Sequence, residues 1–289
     1  MNMYSISGTT RLGGLLGSPV AHSISPAMHN YAFRRLGIDC VYLAFDVGQE
    51  KVGEIACALR DMGSYGFNLT MPDKKKIMEY LDELSDAAEI TGAVNTVVIK
   101  DGRMTGHNTD GCGFVQAAKD HGIDPEGIEA VVLGAGGAGQ AVAAGLALAG
   151  AKAVHIANRK SKSFDAAIEL ADRIERGSDC RADVTDLEDR TELKGILDSS
   201  SLVINATPLG MGEKAALTPL SDLSLLHEGM TAADLIYEPR QTRFLKEAAG
   251  RGLRTFNGMH MLLYQGAEAF RLWTGQEMGV EEVRKEYFS

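Results

Sequence analysis

Val131-Val132-Leu133-Gly134-Ala135-Gly136-Gly137-Ala138-Gly139 is the stretch that decides how this chain is read. An unbroken apolar run enters a cluster of glycines, and an alanine-rich segment follows. That order describes a buried strand, a tight turn and a helix of small residues. Gly134, Gly136 and Gly139 stand at the G-x-G-x-x-G spacing, with the strand before and the helix after that give the spacing its meaning. In such a turn one glycine permits the reversal, one lets the backbone approach a pyrophosphate, and one lets the helix pack close to the strand. The first N–H groups of the helix then offer donors and partial positive charge to phosphates. Gly134, Ala135, Gly136, Gly137 and Ala138 are therefore candidate cofactor-binding residues. A strand–helix turn that holds no ligand is the plainer use of the same residues.

The next strand indicates which nucleotide to expect. Dinucleotide sites that prefer NAD end that strand in a carboxylate for the ribose 2′-hydroxyl. Here Val154-His155-Ile156-Ala157 runs into Asn158-Arg159-Lys160, and Lys162 follows. A guanidinium stacks on adenine and pairs with a 2′-phosphate, and a lysine adds charge. NADP is expected ahead of NAD, with Asn158, Arg159 and Lys160 as its contacts. A solvated basic helix start is the other account of the lysines.

Further outward, short β-type runs alternate with helical patterns. Val41–Phe45, Thr96–Ile99, Leu202–Asn205 and Ala232–Ile236 read as strands. Pro26–Leu36, Gly113–Asp120, Ser163–Arg176 and Thr242–Ala249 read as helices. Apolar strands separated by helices predict an α/β fold with parallel sheets covered on both faces. Ser25 before Pro26 predicts an N-cap, and Gly37 suits the far end of that helix. After Phe256 the pattern changes to two helices, Met259–Trp273 and Val280–Tyr287. A first domain of residues 1–109 and 258–289, interrupted by a second of residues 110–257, fits this order.

Composition narrows the function. The 289 residues suffice for two domains. Glycine accounts for 33 of them, above the usual ~7% and without any collagen period. A net charge of −10 argues against nucleic acid or an anionic membrane as the main partner, so an anionic ligand must be held by local groups. Cys40, Cys57, Cys112 and Cys180 have neither metal nor disulfide spacing, which points to a reducing, cytoplasmic setting without a metal site. The N-terminus lacks the charged-then-apolar layout of a signal peptide. Ala130 to Ala151 is uncharged and long enough to cross a bilayer, but its glycines favour the strand–turn–helix reading.

Four polar stretches carry chemistry. In His22-Ser23-Ile24-Ser25-Pro26, two hydroxyls suit a carboxylate, and Ser25 also suits a plain helix cap. In Phe67-Asn68-Leu69-Thr70-Met71-Pro72-Asp73-Lys74, a strand ends at a proline and a lysine. Lys74 can exchange a proton with an alcohol or alkoxide, or can simply open a solvated helix with Lys75 and Lys76. Gly92-Ala93-Val94-Asn95-Thr96 brings an amide into an apolar strand. Gly106-His107-Asn108-Thr109-Asp110-Gly111 offers Asp110 either as an N-cap or as a partner that orients a lysine.

Taken in order, with the glycine turn, Asn158-Arg159 and the closing Gln265-Gly266-Ala267, these stretches resemble the shikimate dehydrogenase family from about Gly14 to Gly275. The resemblance implies a substrate domain and a Rossmann-type NADP domain, with the C-terminal helices returning to the first. It implies the reversible NADPH-dependent reduction of 3-dehydroshikimate to shikimate, in the biosynthesis of chorismate and the aromatic amino acids. It assigns Lys74 and Asp110 to catalysis, and Ser23, Ser25, Thr70, Asn95, Tyr237 and Gln265 to the substrate. It adds Thr207, Met211 and Gly258 to the cofactor residues. Partners would be small molecules, with the chain as a monomer or homodimer. Lys160 stands where NADP-strict members usually have threonine. That departure, Phe164-Asp165 and the ending Leu272-Trp273-Thr274-Gly275 look like the quinate/shikimate branch, which also accepts NAD. A sensor that binds nucleotide and cyclitol without catalysis is a third reading, and it would not need the lysine–aspartate pair.

Overall fold

The computed structural model describes residues 6–288, apart from the side chain of Lys162. The chain divides into two compact units, residues 1–109 with 265–289, and residues 110–264. The second boundary falls inside a helix rather than at its start. The first turns of that helix stay with the second unit, where His260 meets His121 and Tyr264 bonds Asp120.

The first unit contains β1 (Arg11–Gly17), α1 (Ser25–Leu36), β2 (Cys40–Asp46), α2 (Val52–Asp61), β3 (Gly66–Leu69), β4 (Glu83–Leu84), α3 (Asp86–Thr91), β5 (Thr96–Lys100) and β6 (Arg103–His107). Its sheet runs β2-β1-β3-β5-β6-β4. The sheet is mixed rather than parallel as expected, because β5 runs antiparallel to both β3 and β6. No helix separates β5 from β6, so the chain turns straight back at Asp101-Gly102, and a hairpin cannot be parallel. One face of the sheet buries Leu16, Phe67 and Val97 in one cluster with Val52, Ala56 and Leu59 of α2 and with Ile77 of a short 3-10 helix. At the edge, Asn30 of α1 imitates a neighbouring strand. Its Nδ2 donates to the Tyr42 carbonyl at 2.7 Å, and its Oδ1 accepts from the Tyr42 N–H at 2.9 Å.

Ser25 does not cap α1. The cap position is Ile24, which contributes no side-chain bond, and Ser25 lies in the first turn with its N–H 3.3 Å from the Ser23 hydroxyl. Gly37 closes the helix in the left-handed conformation, as expected.

The second unit contains α4 (Asp110–Asp120), β7 (Glu129–Leu133), α5 (Gly137–Leu148), β8 (Ala153–Asn158), α6 (Lys162–Gly177), β9 (Arg181–Asp186), α7 (Arg190–Ser199), β10 (Leu202–Asn205), β11 (Thr231–Asp234), α8 (Arg243–Gly250), β12 (Arg254–Asn257) and most of the first half of α9 (Met259–Thr274). Its sheet, β12-β11-β10-β7-β8-β9, is parallel throughout. The uncharged stretch from Ala130 is β7 followed by α5, and no helix among the described residues is long and apolar enough to cross a membrane. β9 and β12 are additions to the sequence reading. Their charged and polar residues interrupt the apolar run that marks the central strands, as edge strands allow.

The remainder of α9 and α10 (Val280–Tyr287) belong to the first unit. There Phe270 stacks among Phe33 and His29, and the Trp273 indole donates to the Val97 carbonyl at 2.9 Å.

Candidate active site

Strand direction gathers the polar stretches of the first unit at one sheet edge. β1 and β3 are parallel, so the segments that follow them, carrying Ser23–Ser25 and Thr70–Lys74, leave from the same side. β5 is antiparallel, so its entrance at Asn95 lies there too, and β6 returns to that side at His107. Backbone bonds fix the join. Thr70 N–H donates to the Leu16 carbonyl at 2.9 Å, Ser18 N–H to Met71 at 3.0 Å, Leu69 N–H to Asn95 at 2.8 Å and Val94 N–H to the Lys74 carbonyl at 2.8 Å. Ser23, Thr70 and Lys74 are half-buried there, and Ser25 and Asn95 are buried. Gln265 rides on α9 beside Gly266, where a side chain would collide with Met28 of α1.

Asp73, beside Lys74, is fully buried with no hydrogen-bond partner for its carboxylate among the described residues, and burial pushes its pKa up. The neighbouring polar residues are better served. Asn95 Oδ1 accepts from the Thr109 N–H at 2.8 Å, and Asn68 Nδ2 donates to the Asn95 carbonyl at 3.1 Å. Asp110 follows Thr109 directly as the first residue of α4, not as the cap before it. A negative charge in that first turn is favourable to the helix.

In the second unit the strand order reverses at β7. Connections lead from β7 to β8 and β9 on one side and from β10 to β11 and β12 on the other. Ligands of open α/β sheets bind in the crevice at such a switch point. The glycine turn follows β7, the Asn205–Met211 loop follows β10, and the two touch. Gly134, at φ +102°, has room for its turn only without a side chain, because a Cβ would stand 2.8 Å from Thr207 Cγ2. A Cβ on Gly139 would overlap the Gly134 carbonyl oxygen. At Gly136 and Gly137 nothing lies within 4 Å of an added Cβ, and residues 136–138 are exposed. The glycines thus do two jobs, the outer pair closing the turn and the inner pair leaving a bare backbone cradle at the start of α5. That cradle fits a pyrophosphate.

At the end of β8, Asn158 is buried and donates to Ser163 Oγ at 2.9 Å, while Arg159 and Lys160 are exposed. Lys160 Nζ lies 3.4 Å from Asp186. Thr207 is held by Asn205, whose Oδ1 accepts from its N–H at 3.0 Å and its hydroxyl at 2.7 Å. Met211 and Tyr237 are exposed, and Gly258 is buried against the Leu235 carbonyl. Among the polar residues given no role by the sequence reading are Asn68, Thr96, Asn205 and Asp234. Each lies buried in or next to an apolar strand, which is the signal that could have singled it out.

Comparison with known proteins follows the same division. Residues 15–97 match the shikimate dehydrogenase substrate binding domain, residues 258–286 the shikimate 5′-dehydrogenase C-terminal domain, and residues 130–214 the saccharopine dehydrogenase NADP binding domain. The chain is 45% identical over 283 residues to shikimate dehydrogenase (NADP(+)) of Alkaliphilus metalliredigens, covering 98% of each chain. The crystal structure of shikimate 5-dehydrogenase from Listeria monocytogenes in complex with shikimate and NAD aligns with a TM-score of 0.94 at 42% identity, covering 97% of each chain. Quinate dehydrogenase from Corynebacterium glutamicum in complex with NAD aligns at 0.85 with 32% identity, over 96% of this chain and 99% of that one. With the glycine cradle at the switch point and the hydroxyl, amide and amine groups gathered on the other unit's sheet edge, identity over almost the whole length establishes that this chain belongs to the shikimate dehydrogenase family.

Proposed function

We propose that this chain is an NADP-dependent shikimate dehydrogenase, an oxidoreductase that interconverts 3-dehydroshikimate and shikimate in aromatic amino acid biosynthesis. The observation that carries this reading is the gathering of Ser23, Ser25, Thr70, Lys74 and Asn95 at one sheet edge. Hydroxyls, an amide and a single amine suit a hydroxylated ring carboxylate. By the family pattern, Ser23, Ser25, Thr70, Asn95 and Gln265 hold the substrate carboxylate and hydroxyls, with Tyr237 near the carboxylate.

The nicotinamide cofactor, when bound, supplies and accepts the hydride. Gly134–Ala138 would take its pyrophosphate, Asn158, Arg159 and Lys160 its adenosine phosphate, and Thr207 and Met211 its nicotinamide end, with Gly258 as a further cofactor residue. Lys74 donates a proton to the substrate oxygen as the ketone is reduced and removes it in the reverse direction. Asp110 orients that amine and balances its charge. The remaining assignments are substrate binding on the first unit, nucleotide binding on the second, a cytoplasmic setting, and a monomer or homodimer.

A second reading, a quinate/shikimate enzyme that also uses NAD, draws support from Lys160. Its ion pair with Asp186 diverts charge from a 2′-phosphate. Steady-state rates for shikimate and quinate, each with NADP and NAD, decide between them. Shikimate with NADP is expected to give the highest kcat/KM, and no turnover with any pair would leave only a binding role. Lys160→Ala is expected to raise KM for NADP several-fold and leave KM for NAD unchanged. Equal effects on both would remove Lys160 from phosphate recognition.

A further inference from the structure

Asn95 sits at the end of a buried chain of side chains in which the orientation of both amides is determined. Its Oδ1 accepts from the Thr109 N–H at 2.8 Å, and a backbone N–H can only donate, so the oxygen end of the amide is identified. Its Nδ2 donates to Thr109 Oγ1 at 3.0 Å. Asn68 is fixed from the other direction, because its Nδ2 donates to the Asn95 main-chain carbonyl at 3.1 Å and a carbonyl can only accept. The same Nδ2 donates to Thr96 Oγ1 at 2.9 Å. Asn68 Oδ1 is thereby turned to Tyr42, whose hydroxyl donates to it at 2.7 Å.

Thr96 is the joint of this chain. Having accepted from Asn68, its hydroxyl has one proton to give, and the nearer acceptor is Asn95 Oδ1, at 3.0 Å against 3.3 Å for Thr109 Oγ1. Tyr42 and Thr96 are fully buried, and Asn68, Asn95 and Thr109 nearly so, so no water competes for these groups. Inverting Asn95 would set its amino group against the Thr109 N–H, and inverting Asn68 would set its oxygen against the Asn95 carbonyl, in a region of low dielectric.

We infer that Thr96 and Asn68, with Tyr42 behind them, are positioning residues that hold the Asn95 amide in one of its two orientations. This rests on the reading of Asn95 as a substrate-holding residue.

The test uses the intact enzyme, with KM for shikimate, KM for NADP, kcat and thermal midpoint measured for each variant. Thr96→Val keeps the shape and removes the hydroxyl, and Thr96→Ser restores it. Thr96→Val is expected to raise KM for shikimate about tenfold with KM for NADP unchanged, and Thr96→Ser to return it near the wild-type value. Tyr42→Phe, which removes only the far end of the chain, is expected to act in the same direction by about two- to threefold, and it keeps the test alive if Thr96→Val does not fold. Asn95→Ala separates the two levels of the reading. If it raises KM for shikimate while Thr96→Val and Tyr42→Phe do not, the positioning role is overturned and the site stands. If Asn95→Ala itself leaves that KM unchanged, the site reading falls and the inference with it. A rise in both KM values together with a lowered thermal midpoint in Thr96→Val, not relieved by Thr96→Ser, would mark a packing defect and also overturn it.

Discussion

Asn205 and Asp234, at the ends of neighbouring parallel strands, are joined by a hydrogen bond from Nδ2 to Oδ2 of 3.0 Å. The same carboxylate accepts from the Thr242 hydroxyl at 2.7 Å and the Ile236 N–H at 3.0 Å, while Asn205 Oδ1 holds Thr207. A buried acid therefore fixes the loop after β10 and the start of α8 at once. Burial pushes its pKa up, and the three donors pull it back.

Asp234→Asn would set an amide nitrogen against the Ile236 N–H in one orientation, or against both the Asn205 amide and the Thr242 hydroxyl in the other. A loss of about 1–3 kcal/mol in urea unfolding is expected. KM for the nucleotide should rise more than KM for shikimate, because Thr207 is the residue released. Unaltered stability would show that the carboxylate is not the tie.

For Lys74→Ala, removal of the acid–base group is expected to lower kcat by roughly 10²–10⁴-fold with a modest change in KM. Near-normal kcat at neutral pH would exclude Lys74 from proton transfer.

The glycine turn separates folding from binding. Gly139→Ala forces a methyl onto the Gly134 carbonyl and is expected to destabilise the protein with or without nucleotide. Gly136→Ala meets nothing in the protein, so the thermal midpoint of the free enzyme should hold while affinity for NADP falls. Equal loss of stability in both variants would refute this division of labour.

His29 supplies a pH dependence. It is fully buried among Tyr42, Phe33, Phe270 and Trp273, neither ring nitrogen has a partner among the described residues, and burial lowers its pKa to about 3. The unfolded chain binds a proton at 6.5 and the folded chain does not, so this contribution is complete above pH 6.5 and is lost as pH falls toward 3. The slope is about 1.4 kcal/mol per pH unit in that window. His29→Phe is expected to be more stable than wild type, increasingly so from pH 6.5 down to pH 4.5. Parallel urea midpoints across that range would count against it.

Much of this was legible before folding. β7 and β8, the glycine turn and the two C-terminal helices announce themselves through unbroken apolar runs, glycine spacing and helical periodicity. Ser25 misled because a serine before Pro26 has the local chemistry of a cap, and only the helix start, one residue earlier, reassigns it. The antiparallel β5 was hidden because an apolar strand reads the same in either direction. Asn68 and Asp234 were visible as polar residues in apolar company, but their partners lie 27 to 29 positions away in sequence, at Asn95 and Asn205. Such pairing depends on strand register, which residue types alone do not encode.

The Asn30–Tyr42 pair has a consequence beyond local geometry. β2 is the outer strand of its sheet, and a bare outer strand can recruit a strand from another molecule and grow. By occupying both main-chain groups of Tyr42, the third residue of β2, the Asn30 amide interrupts the ladder and leaves no continuous row of donors and acceptors to extend. One side chain on a neighbouring helix thereby protects the unit against fibre-like association, and Asn30→Leu would reopen that row.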